Sequence, residues 1–92
     1  MPTPTAYFEG GFVPLPEAKI GVMTHAFNYG TAVFEGVRGN WNEEHGELYL
    51  FKLRDHVRRI RQSAKIMRLG ISLSEDEMVN VIVDLARRNG YR

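Results

Sequence analysis

Residues 25–40 read HAFNYGTAVFEGVRGN, and from Ala32 to Asn40 they alternate with the period of a β-strand. One face of that strand carries Val33, Glu35 and Val37; the other carries Phe34, Gly36, Arg38 and Asn40. A ring, a missing side chain and a cation in one row suit neither a packed core nor a plain solvent face. One wall of a binding pocket is one use for such a row, and the alternation alone leaves the choice open.

Working outward, Tyr29-Gly30-Thr31 reads as the entry to this strand, and LYLF (48–51) as its hairpin partner across a polar loop, NWNEEHGE (40–47). Upstream, TAYFEGGFVPL is a second hairpin, with Gly10-Gly11 as a turn pair that tolerates positive φ. Pro14 and Pro16 end its regular pairing. KIGVMTHAF (19–27) fits a short strand running into a turn. Downstream the period changes. Leu53, Val57, Ile60, Ala64 and Met67 recur at 4-3-4-3 spacing, an amphipathic helix. Ser74 followed by Glu77 is a capping box that opens a second helix, which buries Met78, Ile82 and Leu85 and stops at Gly90. Strands first and two helices after predict an α+β fold, with two helices on one face of an antiparallel sheet.

The chain has 92 residues, enough for one small domain with a modest core. Its 43% apolar and 25% charged residues are those of a globular protein. No apolar run approaches the roughly 20 residues of a membrane span, and the first ten residues lack the basic and apolar regions of a secretory signal. Without cysteine there is no disulfide framework. A cytoplasmic location is expected. The net charge of +1 conceals an asymmetry, because most of the basic excess lies in KLRDHVRRIRQSAKIMR (52–68).

On a helical wheel with Leu53 at zero, the apolar stripe falls within about 40° and Arg54, Arg58, Arg61, Lys65 and Arg68 form a second stripe near about 100°. Such a stripe reads as a solvated flank whose stems cover the core edge. Tracking of nucleic acid is disfavoured, because no aromatics interleave with the cations. Arg59 stands apart near about 240°, with His56 and Ser63 between it and the apolar face. A lone guanidinium beside an imidazole and a hydroxyl is a plausible anion clamp.

Other chemistries find little support. His25, His45 and His56 are too widely spaced for a metal site, so none is expected. GVRGN matches neither the dinucleotide fingerprint nor the P-loop. None of Lys19, Lys52 and Lys65 sits in the apolar setting that activates an amine for imine chemistry.

HAFNYGTAVFEGVRG, followed about 20 residues later by RDHVRRIRQSAKIM, resembles the N-terminal small domain of branched-chain amino acid aminotransferases, pyridoxal-phosphate enzymes of fold type IV. The specific pair is YGxxVFEGVR and an R-x-H-x-x-R-I helix at Arg54, His56, Arg59 and Ile60; the likeness spans all 92 residues. It implies that Arg59 binds the phosphate of pyridoxal 5′-phosphate. It implies that Phe34 and Gly36 line the pocket for an apolar substrate side chain, that Arg38 lies near its mouth, and that Tyr29 helps build it across a dimer interface. The substrates so implied are leucine, isoleucine and valine with their 2-oxo acids, 2-oxoglutarate being the amino acceptor, in a homo-oligomer formed through the small domain.

The resemblance also implies that residues 1–92 are a truncated small domain. The Schiff-base lysine and the carboxylate on the pyridine nitrogen lie in a larger domain that follows. The 92 residues alone are therefore expected to be inactive and not to retain the cofactor, and an open sheet edge is expected to promote association. Three alternatives stay open: an aminodeoxychorismate lyase or a D-amino acid transaminase of the same fold, or a non-enzymatic module that binds an anion or a partner.

Overall fold

Two adjacent residues with positive φ, Glu9 at 51° and Gly10 at 83°, close the first hairpin in the computed structural model. This model describes residues 3–24 and 29–91. Strands β1 (Thr5–Phe8) and β2 (Gly11–Pro14) pair antiparallel with Tyr7 opposite Phe12. The turn pair is thus Glu9-Gly10, one residue earlier than expected, and Gly11 already belongs to β2. A two-residue loop with both φ positive matches the right-handed twist of the flanking strands. Pro14 ends β2 and Pro16 sits in a 3₁₀ turn, Leu15–Glu17. Residues 19–24 form no strand, and residues 25–28, including His25, lie outside the described residues.

The second hairpin joins β3 (Gly39–Asn42) to β4 (Glu47–Leu50), with Trp41 opposite Leu48. This corrects the expected strand over 32–40. Regular pairing begins only at Gly39, although the Phe51 N–H still donates to the Arg38 carbonyl at 2.8 Å. Gly39 makes this start possible: a Cβ there would stand 3.3 Å from Leu50 Cδ2 and 3.4 Å from Leu48 Cδ1. Half of the stretch expected to be a polar loop is strand, leaving a four-residue turn at 43–46. The Asn42 side chain accepts from the His45 N–H at 2.8 Å to close it.

Helix α1 (Leu53–Ile66) follows within two residues, and α2 (Glu75–Asn89) completes the described chain. Leu53, Val57 and Ala64 are the buried apolar residues among those described, and Val57 is only 1% exposed. They are members of the expected stripe. Met67, its last member, caps the helix and is 43% exposed. Arg68 takes the left-handed position after that cap, with φ 58°. Its N–H donates to the Lys65 carbonyl and that of Leu69 to the Ala64 carbonyl, a Schellman arrangement with arginine where glycine is usual.

The cationic stripe is no simple solvated flank. Arg54 Nη1 donates to Glu75 and Asp76, each at 2.7 Å, and Arg58 Nε donates to Glu75 at 3.0 Å. Arg61 donates to the Leu73 carbonyl and lies 3.6 Å from Met78 Sδ. Three of the five cations therefore hold the first turn of α2 against α1. Arg54, then Arg58, keeps the Glu75 carboxyl below its ordinary titration range.

The C-terminal end of α2 grips the first hairpin. The Thr5 N–H donates to Asn89 Oδ1 at 2.8 Å, and Asn89 Nδ2 returns a hydrogen bond to the Thr5 carbonyl at 2.9 Å. The Arg88 guanidinium stacks over the Phe12 ring at 4.0 Å. The α+β class is as the sequence implies, its antiparallel pairing divided between two two-stranded sheets. An apolar cleft of about 620 Å³ opens between the second hairpin and α2, walled by Trp41, Leu48, Leu50, Val83 and Ala86. No helix among the described residues is long and apolar enough to cross a membrane.

The capping box is formed as expected. Ser74 Oγ accepts from the Glu77 N–H at 3.1 Å and Glu77 Oε1 accepts from the Ser74 N–H at 2.9 Å, while Gly90 ends α2 with φ 61°. Replacing Ser74 by alanine should lower stability by about 1 kcal/mol, measured as a shift of the urea midpoint at unchanged slope.

Candidate functional site

From Thr31 to Arg38 the chain lies outside any regular ladder, yet its exposure alternates residue by residue. Val33, Glu35 and Val37 face inward and are half-buried; Phe34, Gly36 and Arg38 face solvent. The expected two-sided segment is thus present without the expected pairing over most of its length. Phe34 is 92% exposed, an unusual setting for a large ring. Tyr29 is 72% exposed.

Glu35, to which the sequence assigns no role, is the hub of the inward face. An acid set between two valines needs partners, and the helix supplies them. Arg59 Nε donates to Oε2 at 2.7 Å and Arg59 Nη2 to Oε1 at 2.6 Å, a bidentate fork. His56 Nδ1 lies 2.8 Å from Oε1. An ionised carboxylate only accepts, so His56 carries a proton on Nδ1. The signal available in the sequence is an acidic residue within the apolar face, together with an arginine and a histidine spaced on one side of an amphipathic helix.

Burial and charge set the properties of this cluster. The Glu35 side chain is 13% exposed and that of His56 19%, while Arg59 remains 67% exposed. Hydrogen bonds from Arg59, then His56, hold the Glu35 carboxyl down at about 2, against the opposing effect of desolvation. The fork uses only one edge of the guanidinium. Nη1 has no hydrogen-bond partner among the described residues, and the side chain as a whole is mostly in solvent.

Phe34, Gly36 and Arg38 share one outer face, as expected. Arg59 meets the segment from the opposite side, through Glu35, and none of its contacts among the described residues joins it to that outer row. His45 pairs with Tyr49 at 2.8 Å in the second hairpin, away from this cluster. Among the described residues no three His, Cys, Asp or Glu side chains gather as metal ligands. Lys19, Lys52 and Lys65 are all exposed.

No family model matches the chain. A probable branched-chain-amino-acid aminotransferase of Aquifex aeolicus is 40% identical over 87 residues, covering 95% of this chain and 28% of that protein. The branched-chain aminotransferase of Thermoproteus uzoniensis with norvaline superposes with a TM-score of 0.90 at 39% identity, over 98% of this chain and 30% of that one. The T.th. branched-chain amino acid aminotransferase complexed with N-(5′-phosphopyridoxyl)-L-glutamate gives 0.89 at 40% identity, again over 98% of this chain and 30% of that one. The chain spans less than a third of the length of the relatives it matches. Its homologues are thus aminotransferases. More narrowly, they are branched-chain amino acid aminotransferases, and its architecture matches the N-terminal part of their structures.

The Glu35 cluster sets a pH signature. Because its folded value lies near 2, below the ordinary 4.5, the pairing stabilises the fold fully above about pH 4.5. That contribution shrinks as the pH falls and is gone below about 2. A side-chain carboxyl NMR titration should give Glu35 a midpoint near 2. A midpoint in the ordinary glutamate range would show that the fork does not persist in solution.

Proposed function

We propose that this chain is the N-terminal part of a pyridoxal-phosphate-dependent transaminase that moves the amino group of leucine, isoleucine or valine to 2-oxoglutarate. The observation that carries the reading is likeness to a phosphopyridoxyl-bound enzyme over 98% of this chain, combined with an arginine that offers an open guanidinium edge. The donor chemistry suits the group: a fixed charge with a second pair of N–H groups donates to two oxygens of a phosphate.

In this reading Arg59 holds the cofactor phosphate. Phe34 presents a bare ring to the aliphatic side chain of the substrate, Gly36 leaves space for it, and Arg38 stands near the entrance where a carboxylate approaches. Tyr29 closes the pocket in the assembled homodimer or higher homo-oligomer. The bound cofactor supplies the electron sink that makes the substrate's α-proton acidic. The residues of this chain contribute binding, orientation and exclusion of water. Its three lysines are exposed, so none is placed for the amine chemistry, and the 92 residues alone are expected to be catalytically silent. A cytoplasmic location accompanies this reading.

Arg59→Ala in the full-length protein tests it. Loss of a charge-assisted contact of about 1.5–3 kcal/mol should weaken pyridoxal 5′-phosphate binding roughly ten- to hundredfold, read by dialysis and cofactor absorbance. Unchanged retention would remove the phosphate role. Comparing turnover of leucine with that of aminodeoxychorismate would separate the transaminase from the lyase of the same fold.

A further inference from the structure

Arg59 combines two properties that rarely coincide. Two-thirds of its side chain is in solvent, and yet one edge of its guanidinium is locked by two hydrogen bonds of 2.7 and 2.6 Å. The lock is itself anchored. Glu35 is nearly buried, sits between Val33 and Val37 on the inward face, and has its Oε1 held by His56 at 2.8 Å. A guanidinium has five N–H donors in a rigid plane. Glu35 takes Nε–H and one Nη2–H, which leaves both Nη1 hydrogens and the second Nη2–H as a fork on the adjacent edge.

We propose that Glu35 is a positioning residue for Arg59: its carboxylate, steadied by His56, clamps the Nε–Nη2 edge and presents the Nη1–Nη2 edge, already ordered, to the phosphate group. This rests on the reading of Arg59 as the phosphate-binding residue. The opposite effect is also physically conceivable, because a carboxylate beside the guanidinium opposes the approach of a second anion. Geometry decides between them. A competing carboxylate would occupy the edge the phosphate needs, whereas Glu35 occupies the other one and spares the phosphate the ordering of a long side chain. That ordering costs about 0.5–1.5 kcal/mol per immobilised side chain, or roughly two- to twelvefold in affinity.

The test uses the full-length aminotransferase that carries this segment and two probes, pyridoxal 5′-phosphate and pyridoxal, which differ only in the phosphate. The readout is the ratio of their affinities for the apoenzyme, measured by absorbance titration. Glu35→Gln keeps the shape of the side chain and removes its charge. It should lower the ratio roughly two- to twelvefold with pyridoxal affinity unchanged. In an Arg59→Gln background the same substitution should have no further effect, since the clamp has nothing left to hold.

A ratio that stays the same or rises in Glu35→Gln would overturn the proposal, a rise marking Glu35 as a competitor. A parallel loss for both probes would also sink it, by showing general damage to the site. If Arg59→Gln alone leaves the ratio unchanged, the phosphate reading fails. If Arg59→Gln collapses the ratio and Glu35→Gln does not, the positioning role alone fails. Should Glu35→Gln not fold, Glu35→Asp, which retracts the same charge by one methylene, carries the same comparison.

Discussion

The inward face of α1, with Leu53, Val57 and Ala64, is the constraint on which the rest of this chain depends. These are the buried apolar side chains among the described residues, and they are the centre on which the polar contacts of α1 with its neighbours converge. Burying a valine contributes about 1.5–3 kcal/mol, whereas an exposed ion pair contributes about 0–1 kcal/mol. Packing on this stripe therefore sets where α1 lies, and the charges on its two flanks decide what it faces. On one flank Arg54, Arg58 and Arg61 hold the first turn of α2. On the other, His56 and Arg59 capture Glu35 and with it the segment 31–38. One helix thereby registers both a neighbouring helix and the motif that carries the proposed site.

That segment separates two tasks by the period of two in its exposure. Its inward residues are two half-buried valines and the acid whose charged fork ties the segment to the helix. Its outward residues, Phe34, Gly36 and Arg38, are exposed and form the row to which the proposed function assigns the substrate. A bare ring on a soluble surface is costly in isolation, and the proposed function gives it a reason. The arrangement also means that a change on one face need not disturb the other, because alternate residues act on opposite sides.

Much of this is legible in the residues. The stripe of α1, the capping box at Ser74 and the stop at Gly90 are local, and local rules fix them. The alternation in 31–38 is legible as burial but not as pairing. Pairing depends on which partner strand is near, and β4 is only four residues long, so it reaches β3 from Gly39 onward and no further upstream. The first turn slips by one residue because Glu9 adopts positive φ, a conformation more commonly left to glycine or asparagine. Arg68 hides a helix end for the same reason. Of the site, the isolation of Arg59 on the wheel is visible, but its partner is not. Glu35 lies 24 residues away, and only folding shows that the acid between two valines and the solitary arginine answer each other.

The bond between Thr5 and Asn89 has a consequence for how such a protein is made. It joins residues 84 apart, and it is reciprocal, so neither half forms without the other. The hairpin β1–β2 leaves the ribosome before α2, and its dock does not exist until the last turn of that helix has been synthesised. At about 5–20 residues per second that is a wait of several seconds. A lone two-stranded ribbon is marginal in water, so these strands emerge before the helix that holds them. Residues 5–14 must wait for residues 75–89, and that interval is when a chaperone or a neighbouring copy has its best opportunity to engage them.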